Sequence, residues 1–568
     1  MRYQTLAKLY EDASSTTKRL EKIDILSKFL KHLSSEDREV MYLLDGRIYP
    51  EYDERRIGIS NQLVISAISK ATGIEKAKVV SEWKKIGDLG KVAEKLTAGK
   101  KQATLASHVI TTQKVLENLK KLPELEGKGT VNRKLALITE LLTSASPIEA
   151  QYLVRTLIGS LRVGMQESTI REALAKAFFK ENDAGKRIQR AIDRSNDLAL
   201  VFDMARKGKL KELDKVHLEV GKPIKAMLAQ KAESFQDGFK KLGKPCAIEY
   251  KYDGFRMIIH KQEDKVTLFT RSLENVTKQF PEVVDYVKKY IKGDSFVLDS
   301  EAVGFNKKTK EYTSFQHISQ RIRRKYDIEK LKEELPIEVN VFDIVYYNGK
   351  SQLDVEFEKR AKLIRSILKN HPYKIIHSKQ IITEDEKKAK TFYEKALKDN
   401  QEGVMMKNLK APYKPGRRVG YMLKIKPEEK DLDLVITGAE YGSGKRGGWM
   451  SSFILSCKGK EKGEYLEIGK VGTGIKEKSS EGLSFEYLTE KLKPYILKEK
   501  GKTVDLKPKV VVAVTYQEIQ KSPNYKSGFA LRFPRFVALR PDLHLDDVNT
   551  LDEIKKDFEN QKRNWKYG

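Results

Sequence analysis

Two switches in hydrophobic periodicity divide this chain before any motif is considered. Up to about Val216 the apolar residues recur at helical spacing, as in Ile23, Leu26, Leu30 and Leu33, which build one stripe along a helix. Near Gly221-Lys222-Pro223 the period changes, and from Cys246 onward short β-rich runs such as Phe296-Val297-Leu298 and Val341-Phe342-Asp343-Ile344 alternate with helical ones. After Lys426-Pro427 come strands such as Leu434-Val435-Ile436-Thr437 and Val510-Val511-Val512-Ala513-Val514, separated by glycine-rich turns and closed by a charged helical tail from Leu551. The expectation is a multidomain chain with an all-α unit over 1–218, an α+β unit over 219–427 and a C-terminal β-barrel with its tail over 428–568. Length agrees, because 568 residues exceed what one core serves and imply three or four folding units. The sequence has no internal repeat and no low-complexity segment.

A formal net charge of +30 most often neutralises a polyanion, with DNA or RNA ahead of an acidic membrane. A Lys- and Glu-rich thermophile surface is the alternative. No apolar run approaches the ~20 residues of a membrane span, and the start, Met1-Arg2-Tyr3-Gln4-Thr5, lacks the apolar stretch of a signal peptide. The expected place is therefore the cytoplasm, with no membrane partner. Two cysteines, Cys246 and Cys457, exclude a disulfide framework and any zinc module with four cysteine ligands.

The run Ala247 to Arg256 reads as a strand ending in an Asp-Gly turn, the usual signal of a tight hairpin. Side chains two apart share a strand face, so Glu249 and Lys251 project together while Ile248 and Tyr250 point the other way. The same alternation pairs Asp299 with Glu301, and Lys424 with Lys426. With Glu402 these are candidate ligands for a hard cation and a triphosphate. Each pair alone reads as a solvated strand face. In the helical part, Leu161-Arg162-Val163-Gly164-Met165-Gln166-Glu167-Ser168-Thr169 ends in capping residues and leads into Ile170, Leu174, Ala177 and Phe178. A helix N-terminus beside an arginine suits a phosphate, and an ordinary helix start with a solvated arginine is the other reading.

Six segments, taken in order, resemble the motifs of the covalent nucleotidyltransferase superfamily of DNA ligases, RNA ligases and messenger-RNA capping enzymes. They are Lys251-Tyr252-Asp253-Gly254, Thr270-Arg271-Ser272-Leu273-Glu274, Leu298-Asp299-Ser300-Glu301, Val341-Phe342-Asp343-Ile344, Glu402-Gly403-Val404-Met405-Met406-Lys407 and Leu423-Lys424-Ile425-Lys426. Their order carries the resemblance, since Lys-x-Asp-Gly alone is too short. Within the superfamily, Leu161-Arg162-Val163-Gly164, Lys222-Pro223-Ile224-Lys225-Ala226-Met227-Leu228-Ala229 and Leu531-Arg532-Phe533-Pro534-Arg535-Phe536 resemble the ATP-dependent DNA ligases of archaeal and eukaryotic replicative type.

That resemblance implies an all-α DNA-binding domain, an adenylation domain and an oligonucleotide-binding (OB-fold) β-barrel that encircle nicked duplex DNA in replication, repair and recombination. It implies Lys251 as the nucleophile that carries AMP from ATP. A lysine amine attacks phosphorus only when deprotonated, and Lys424, Lys426, Arg256 and a bound Mg²⁺ or other divalent cation are the positive charges at hand. Glu249 is implied as acceptor for the adenine amino group, and Phe342 as the ring stacked on the base. Arg256, Arg271 and Arg418 are implied to hold ribose and phosphates, Lys424 and Lys426 the α-phosphate, and Glu301 and Glu402 ribose or metal; Asp253 and Asp299 are secondary candidates. In the C-terminal unit, Gly442-Ser443-Gly444-Lys445-Arg446-Gly447-Gly448 is a basic glycine loop able to approach phosphates, with a plain flexible loop as the alternative.

Two departures stand out. The family's last motif usually ends Arg-x-Asp-Lys, whereas this chain reads Arg540-Pro541-Asp542-Leu543, which leaves Arg540 and Asp542 as candidates and Leu543 without a role. Met422 stands where a tryptophan often precedes the fifth motif. A sliding clamp is a partner expected from the family, though Gln102-Ala103-Thr104-Leu105 carries only the first half of the usual clamp-binding segment. The expected state is a nucleoid-associated monomer. Among rivals, a capping-type or RNA ligase lacks the long helical domain, an NAD-dependent ligase needs four zinc-binding cysteines, and a catalytically dead DNA-binding protein would not keep the full set of charged motif positions.

Overall fold

The computed structural model describes residues 1–99, 109–313, 315–324, 326–427, 430–477 and 483–564. Gln102 to Leu105 lie outside the described residues. Among those described, thirteen helices lie between Tyr3 and Asp214. They share one core that runs in sequence from Tyr3 to Val216 and includes the stripe Ile23, Leu26, Leu30 and Leu33. The helix Glu167–Phe178 has Gln166 as its N-cap and no side-chain cap bond, so Ser168 and Thr169 belong to its first turn and the expected caps are corrected. Arg162 is not a solvated arginine either. Its guanidinium lies 3.1 Å from Asp88, whose Oδ1 accepts from Gly90 N and caps the helix Leu89–Ala98.

Among the described residues the middle of the chain holds twelve strands: β1 (Gln230–Lys231), β2 (Cys246–Lys251), β3 (Phe255–Gln262), β4 (Lys265–Thr270), β5 (Ser295–Phe305), β6 (Tyr312–Thr313), β7 (Ile337–Tyr347), β8 (Lys350–Ser351), β9 (Ile375–His377), β10 (Gln380–Thr383), β11 (Gly403–Asn408) and β12 (Met422–Ile425). They form two sheets. One runs β1-β12-β11-β2-β10, the other β4-β3-β5-β7-β8 with β6 on β5 and β9 on β7. Strands β2 and β3 belong to different sheets, so the expected Asp-Gly hairpin is corrected: Tyr252-Asp253-Gly254 carries the chain across from one sheet to the other. Glycine is needed there for approach. A Cβ on Gly254 would lie 2.3 Å from Ala302 O, a backbone atom that has no room to move aside.

Each sheet packs one face against a helix. Ile248, Tyr250, Val404, Met406, Leu423 and Ile425 form a core with Phe235 and Phe239 of the helix Phe235–Leu242. Met257, Ile259, Leu298, Val339, Val341 and Ile344 form another with Val283 and Val287 of Pro281–Tyr290. Because side chains alternate along a strand, the opposite faces carry Glu249, Lys251, Met405, Lys407 and Lys424 on one sheet and Arg256, Asp299 and Glu301 on the other. These two polar faces meet in a cleft. Strand β7 slips by one residue opposite Asp299 and Ser300, which pair with Asp343 and Val341 and leave Phe342 as the bulged residue. Such a bulge re-aims a side chain.

Among the described residues the C-terminal part has nine strands: β13 (Lys430–Tyr441), β14 (Met450–Lys458), β15 (Tyr465–Val471), β16 (Ile496–Lys500), β17 (Thr503–Leu506), β18 (Val511–Tyr516), β19 (Glu518–Lys521), β20 (Phe529–Arg532) and β21 (Arg535–Leu539). Seven pair in the open order β15-β14-β13-β17-β16, with β18 joining β13 to β21, and β19-β20 is a separate hairpin. Among the described residues no ring of hydrogen bonds closes. The sheet packs around Leu434, Ile436, Phe453, Val512 and Val514, with Ile554 of the tail helix Leu551–Asn564 in its core. Leu543 packs with Val435, Val511 and Val548, a structural use for the residue that replaces the usual lysine.

The three parts touch. Lys225 Nζ reaches Glu51 at 2.5 Å and Glu167 at 2.7 Å, tying the helical part to the two-sheet part. The basic glycine loop packs on the helical part: Gly444 N donates to Gly87 O at 3.0 Å, a Cβ on Gly87 would sit 2.9 Å from Gly447 Cα, and Lys502 lies 4.2 Å above the Trp83 ring. No helix among the described residues is long and apolar enough to cross a membrane.

Replacing Gly254 with alanine should push the end of β2 away from β5. Overpacking a close contact costs about 1–3 kcal/mol, so G254A should melt below the parent in a thermal unfolding experiment. A variant that melts with the parent would show that the crossing has slack.

Candidate active site

Lys251 is the last residue of β2, and its Nζ lies 2.6 Å from Glu402 Oε2. Lys426 Nζ contacts the same oxygen. The backbone enforces this meeting, since Glu402 N donates to Lys251 O at 2.9 Å and Gly403 then pairs with Lys251 across β11 and β2. Gly403 has φ +135°, and a Cβ there would lie 2.2 Å from Ile425 O. Only glycine lets the chain turn into β11 this close to β12.

The charges in the cleft perturb one another. Burial alone would raise the Glu402 carboxyl, but Lys251 and Lys426 outweigh it and hold the group well below the usual carboxylate range. Burial and then the neighbouring Lys426 and Lys251 lower Lys424, with Arg418 adding to the same field; burial and Lys251 likewise lower Lys426. Glu301 moves the other way. Burial pushes it up to about 7 against the attraction of Lys251 and Arg256. Asp253 is raised by burial and by Glu402, and its Oδ1 is buried without a hydrogen-bond partner while its N–H donates to Gln401.

On the facing sheet, Arg256 grips Asp299 with two hydrogen bonds, donates to Met227 O at 3.0 Å and lies 5.1 Å from the centre of the Phe342 ring. Asp299 also accepts from Tyr413 Oη at 2.6 Å. Arg271 is exposed one step beyond the Met257–Thr270 pair, level with Arg256. Arg418 is exposed beside Lys424. Glu249, 2% exposed, accepts from Gln380 Nε2 at 2.6 Å on one oxygen and pairs with Lys407 Nζ at 2.6 Å on the other.

The cleft thus brings together Lys251, Glu249, Asp253, Arg256, Asp299, Glu301, Phe342, Glu402, Lys424 and Lys426, with Arg271 and Arg418 at its edge. Arg540 and Asp542 are elsewhere. Arg540 is engaged with Asp433 at 3.0 Å and with Asp542 at 2.9 Å on the surface of the C-terminal part. What that part presents to the cleft is the β19-β20 hairpin: Arg532, paired with Glu518 at 3.1 Å, stands 5.9 Å from the Phe315 ring and adds to the field at Asp253 and Lys426. Sequence reasoning assigned no role to Gln380, Lys407, Tyr413 or Arg532. For Lys407 a signal existed, because Gly403, Met405 and Lys407 alternate onto the face that bears Glu249.

Among the described residues no group of three or more His, Cys, Asp or Glu side chains could hold a metal. Glu301 and Glu402 supply two carboxylates, which fits a Mg²⁺ that takes its remaining ligands from nucleotide phosphates and water.

A carboxyl at about 7 in the fold and 4.5 otherwise contributes stability that is complete below 4.5 and lost as pH rises through 7. Glutamine carries no such dependence. The melting temperature of E301Q relative to the parent should therefore climb between pH 5 and pH 8 and level off above; a flat difference would mean that Glu301 ionises normally.

Family models match all three parts of the chain: "DNA ligase N terminus" over residues 2–175, "ATP dependent DNA ligase domain" over 226–426 and "ATP dependent DNA ligase C terminal region" over 446–543. The DNA ligase of Nanoarchaeum equitans is 45% identical over 564 residues, covering 99% of each chain. That of Thermococcus onnurineus is 39% identical with 99% of each covered, and that of Methanocaldococcus jannaschii 38% with 99% of this chain and 100% of the relative. The solved structure "Pmar-Lig_Pre." shares the fold at a TM-score of 0.60 and 18% identity, over 94% of this chain and 99% of the other. A cleft with a lysine held between carboxylate and lysines, in a chain that matches its relatives from end to end, identifies a member of the ATP-dependent DNA ligase family, whose known reaction is the sealing of nicks in DNA.

Proposed function

We propose that this ligase works through a lysyl-AMP at Lys251. The observation that carries the reading is the convergence of Lys251, Lys424 and Lys426 on one side of the cleft with Glu402 among them. Lys251 Nζ attacks the α-phosphorus of ATP, a P–N bond forms, and the bond to pyrophosphate breaks. The 5′-phosphate at a nick then attacks the same phosphorus and frees Lys251, and the adjacent 3′-hydroxyl attacks the activated 5′-phosphate to seal the strand and release AMP. Lys424 and Lys426 hold the α-phosphate, where fixed positive charge is the main source of rate in phosphoryl transfer. Crowding of three ammonium groups favours loss of a proton within the cluster, and Glu402 orients Nζ. Glu301 and Glu402 would hold a divalent cation, which supplies further positive charge beside phosphorus when bound.

Glu249 accepts from the adenine amino group and Phe342 stacks on the base. Arg256, with Asp299 behind it, faces the ribose, and Arg271 and Arg418 the phosphates; Asp253 is part of the carboxylate set around Lys251. Loading by Arg540 and Asp542 requires the C-terminal part to turn from the arrangement seen, because Arg540 is now engaged with Asp433. We assign residues 1–218 to a DNA-binding domain, 219–427 to the adenylation domain and 428–568 to an OB-fold domain, acting on nicked duplex DNA as a cytoplasmic, nucleoid-associated monomer with a sliding clamp as an expected partner.

Label in the α-phosphate of ATP should become covalently attached to the protein, and label in GTP should not. The K251A variant should neither take up label nor seal a nicked duplex, while still binding it. Sealing by K251A, or capture of GMP, would overturn the mechanism.

A further inference from the structure

Gln401 is 5% exposed, and its side chain is bonded at both polar ends. The helix Glu386–Lys398 stops with Asn400 in the left-handed region at φ +56°. The two turn bonds that close such an end are present, Asn400 N donating to Leu397 O at 3.0 Å and Gln401 N to Ala396 O at 2.9 Å. That turn delivers Gln401 to the crossing between the two sheets. Its Oε1 accepts from Asp253 N at 3.0 Å, and its Nε2 donates to Asp399 O at 2.9 Å. An amide serves both bonds because it carries an acceptor and a donor on one side chain. Asp399 is held in turn by Tyr250 Oη at 2.9 Å and Lys379 Nζ at 2.8 Å. Residues 399–402 therefore grip the chain around the nucleophile at three points: Tyr250 through Asp399, Lys251 through the Glu402 N–H, and Asp253 through Gln401.

We infer that Gln401 is a positioning residue that aims Lys251 Nζ by fixing the backbone just beyond the nucleophile. The inference rests on the lysyl-AMP reading given above. In the structure Nζ is tethered by its ion pair with Glu402. An amine that has shed its proton to attack phosphorus keeps at most a weaker hydrogen bond in place of that ion pair, so its direction is set by the backbone on either side of Lys251. Before Lys251, β2 is held between β11 and β10. After it the strand has ended, and the N–H of Asp253, a residue only 4% exposed, finds its acceptor in Gln401. Without that acceptor a buried N–H is left unpaired, which favours any shift of the crossing that brings it to another partner. Glu402 depends on Gln401 less, because its own N–H stays on Lys251 O and Gly403 stays in register with Lys251.

The test compares the full-length parent with Q401M, which keeps the reach of the side chain and removes both polar ends. Two rates are measured. One is transfer of AMP from ATP to the enzyme, in which Lys251 reacts; the other is sealing of a nicked duplex whose 5′-phosphate already carries AMP, in which Lys251 does not. An unpaired buried N–H shifts a conformational equilibrium by roughly 10- to 100-fold. Q401M should lose that factor in kcat for self-adenylation, keep its KM for ATP, and seal the pre-adenylated nick at close to the parental rate. Self-adenylation at the parental rate overturns the inference. So does an equal loss in both rates, as expected if Gln401 only supports the fold of the cleft, and so does a loss confined to KM. A parent that takes up no label from ATP yet seals the pre-adenylated nick would sink the lysyl-AMP mechanism itself, and this inference with it.

Discussion

The cleft is organised by one carboxylate held between two amines. Glu402 sits against Lys251 and Lys426 because its own N–H donates to the Lys251 carbonyl, and the next residue, Gly403, lets β11 pass within contact of β12. Three lysines that would repel one another in isolation are kept together by this shared counter-charge. The arrangement lowers the cost of concentrating positive charge in the cleft.

Around that centre, the two sheets are joined by a crossing three residues long. A hairpin would have placed β2 and β3 side by side with Lys251 on the surface of one sheet. The crossing instead sets the polar face of the first sheet against that of the second, so that Lys251 and Glu402 look across at Glu301, Asp299 and Arg256. The bulge that frees Phe342 from strand pairing lies at the same level. Both features put side chains into the space between sheets, where low solvent access strengthens each electrostatic contact.

The remaining parts meet the cleft by its rims. Lys225, in the run that enters the two-sheet part, ties it to Glu51 and Glu167 of the helices. The C-terminal part clasps the helices with Gly444 and Gly447 on Gly87, and it offers Arg532 to the cleft in place of Arg540. The glycine-rich loop is a contact surface here, and its glycines serve the closeness of two backbones.

Strand parity and helical periodicity were enough to assign the helical core, the two strand-rich parts and the common face of Glu249 and Lys251, because these depend on local spacing alone. Local spacing also placed Asp299 with Glu301 and Lys424 with Lys426. It does not say which strand neighbours which, so the Asp-Gly run reads as a hairpin. Pairing partners are chosen by long-range burial: Ile248 and Tyr250 belong to the core under Phe235, while Met257 and Ile259 belong to the core under Val283, and that choice separates β2 from β3. Lys407 shows the same limit from the other side. Its place on the strand face could be read from the sequence, but its bond to Glu249 exists only because β11 pairs with β2.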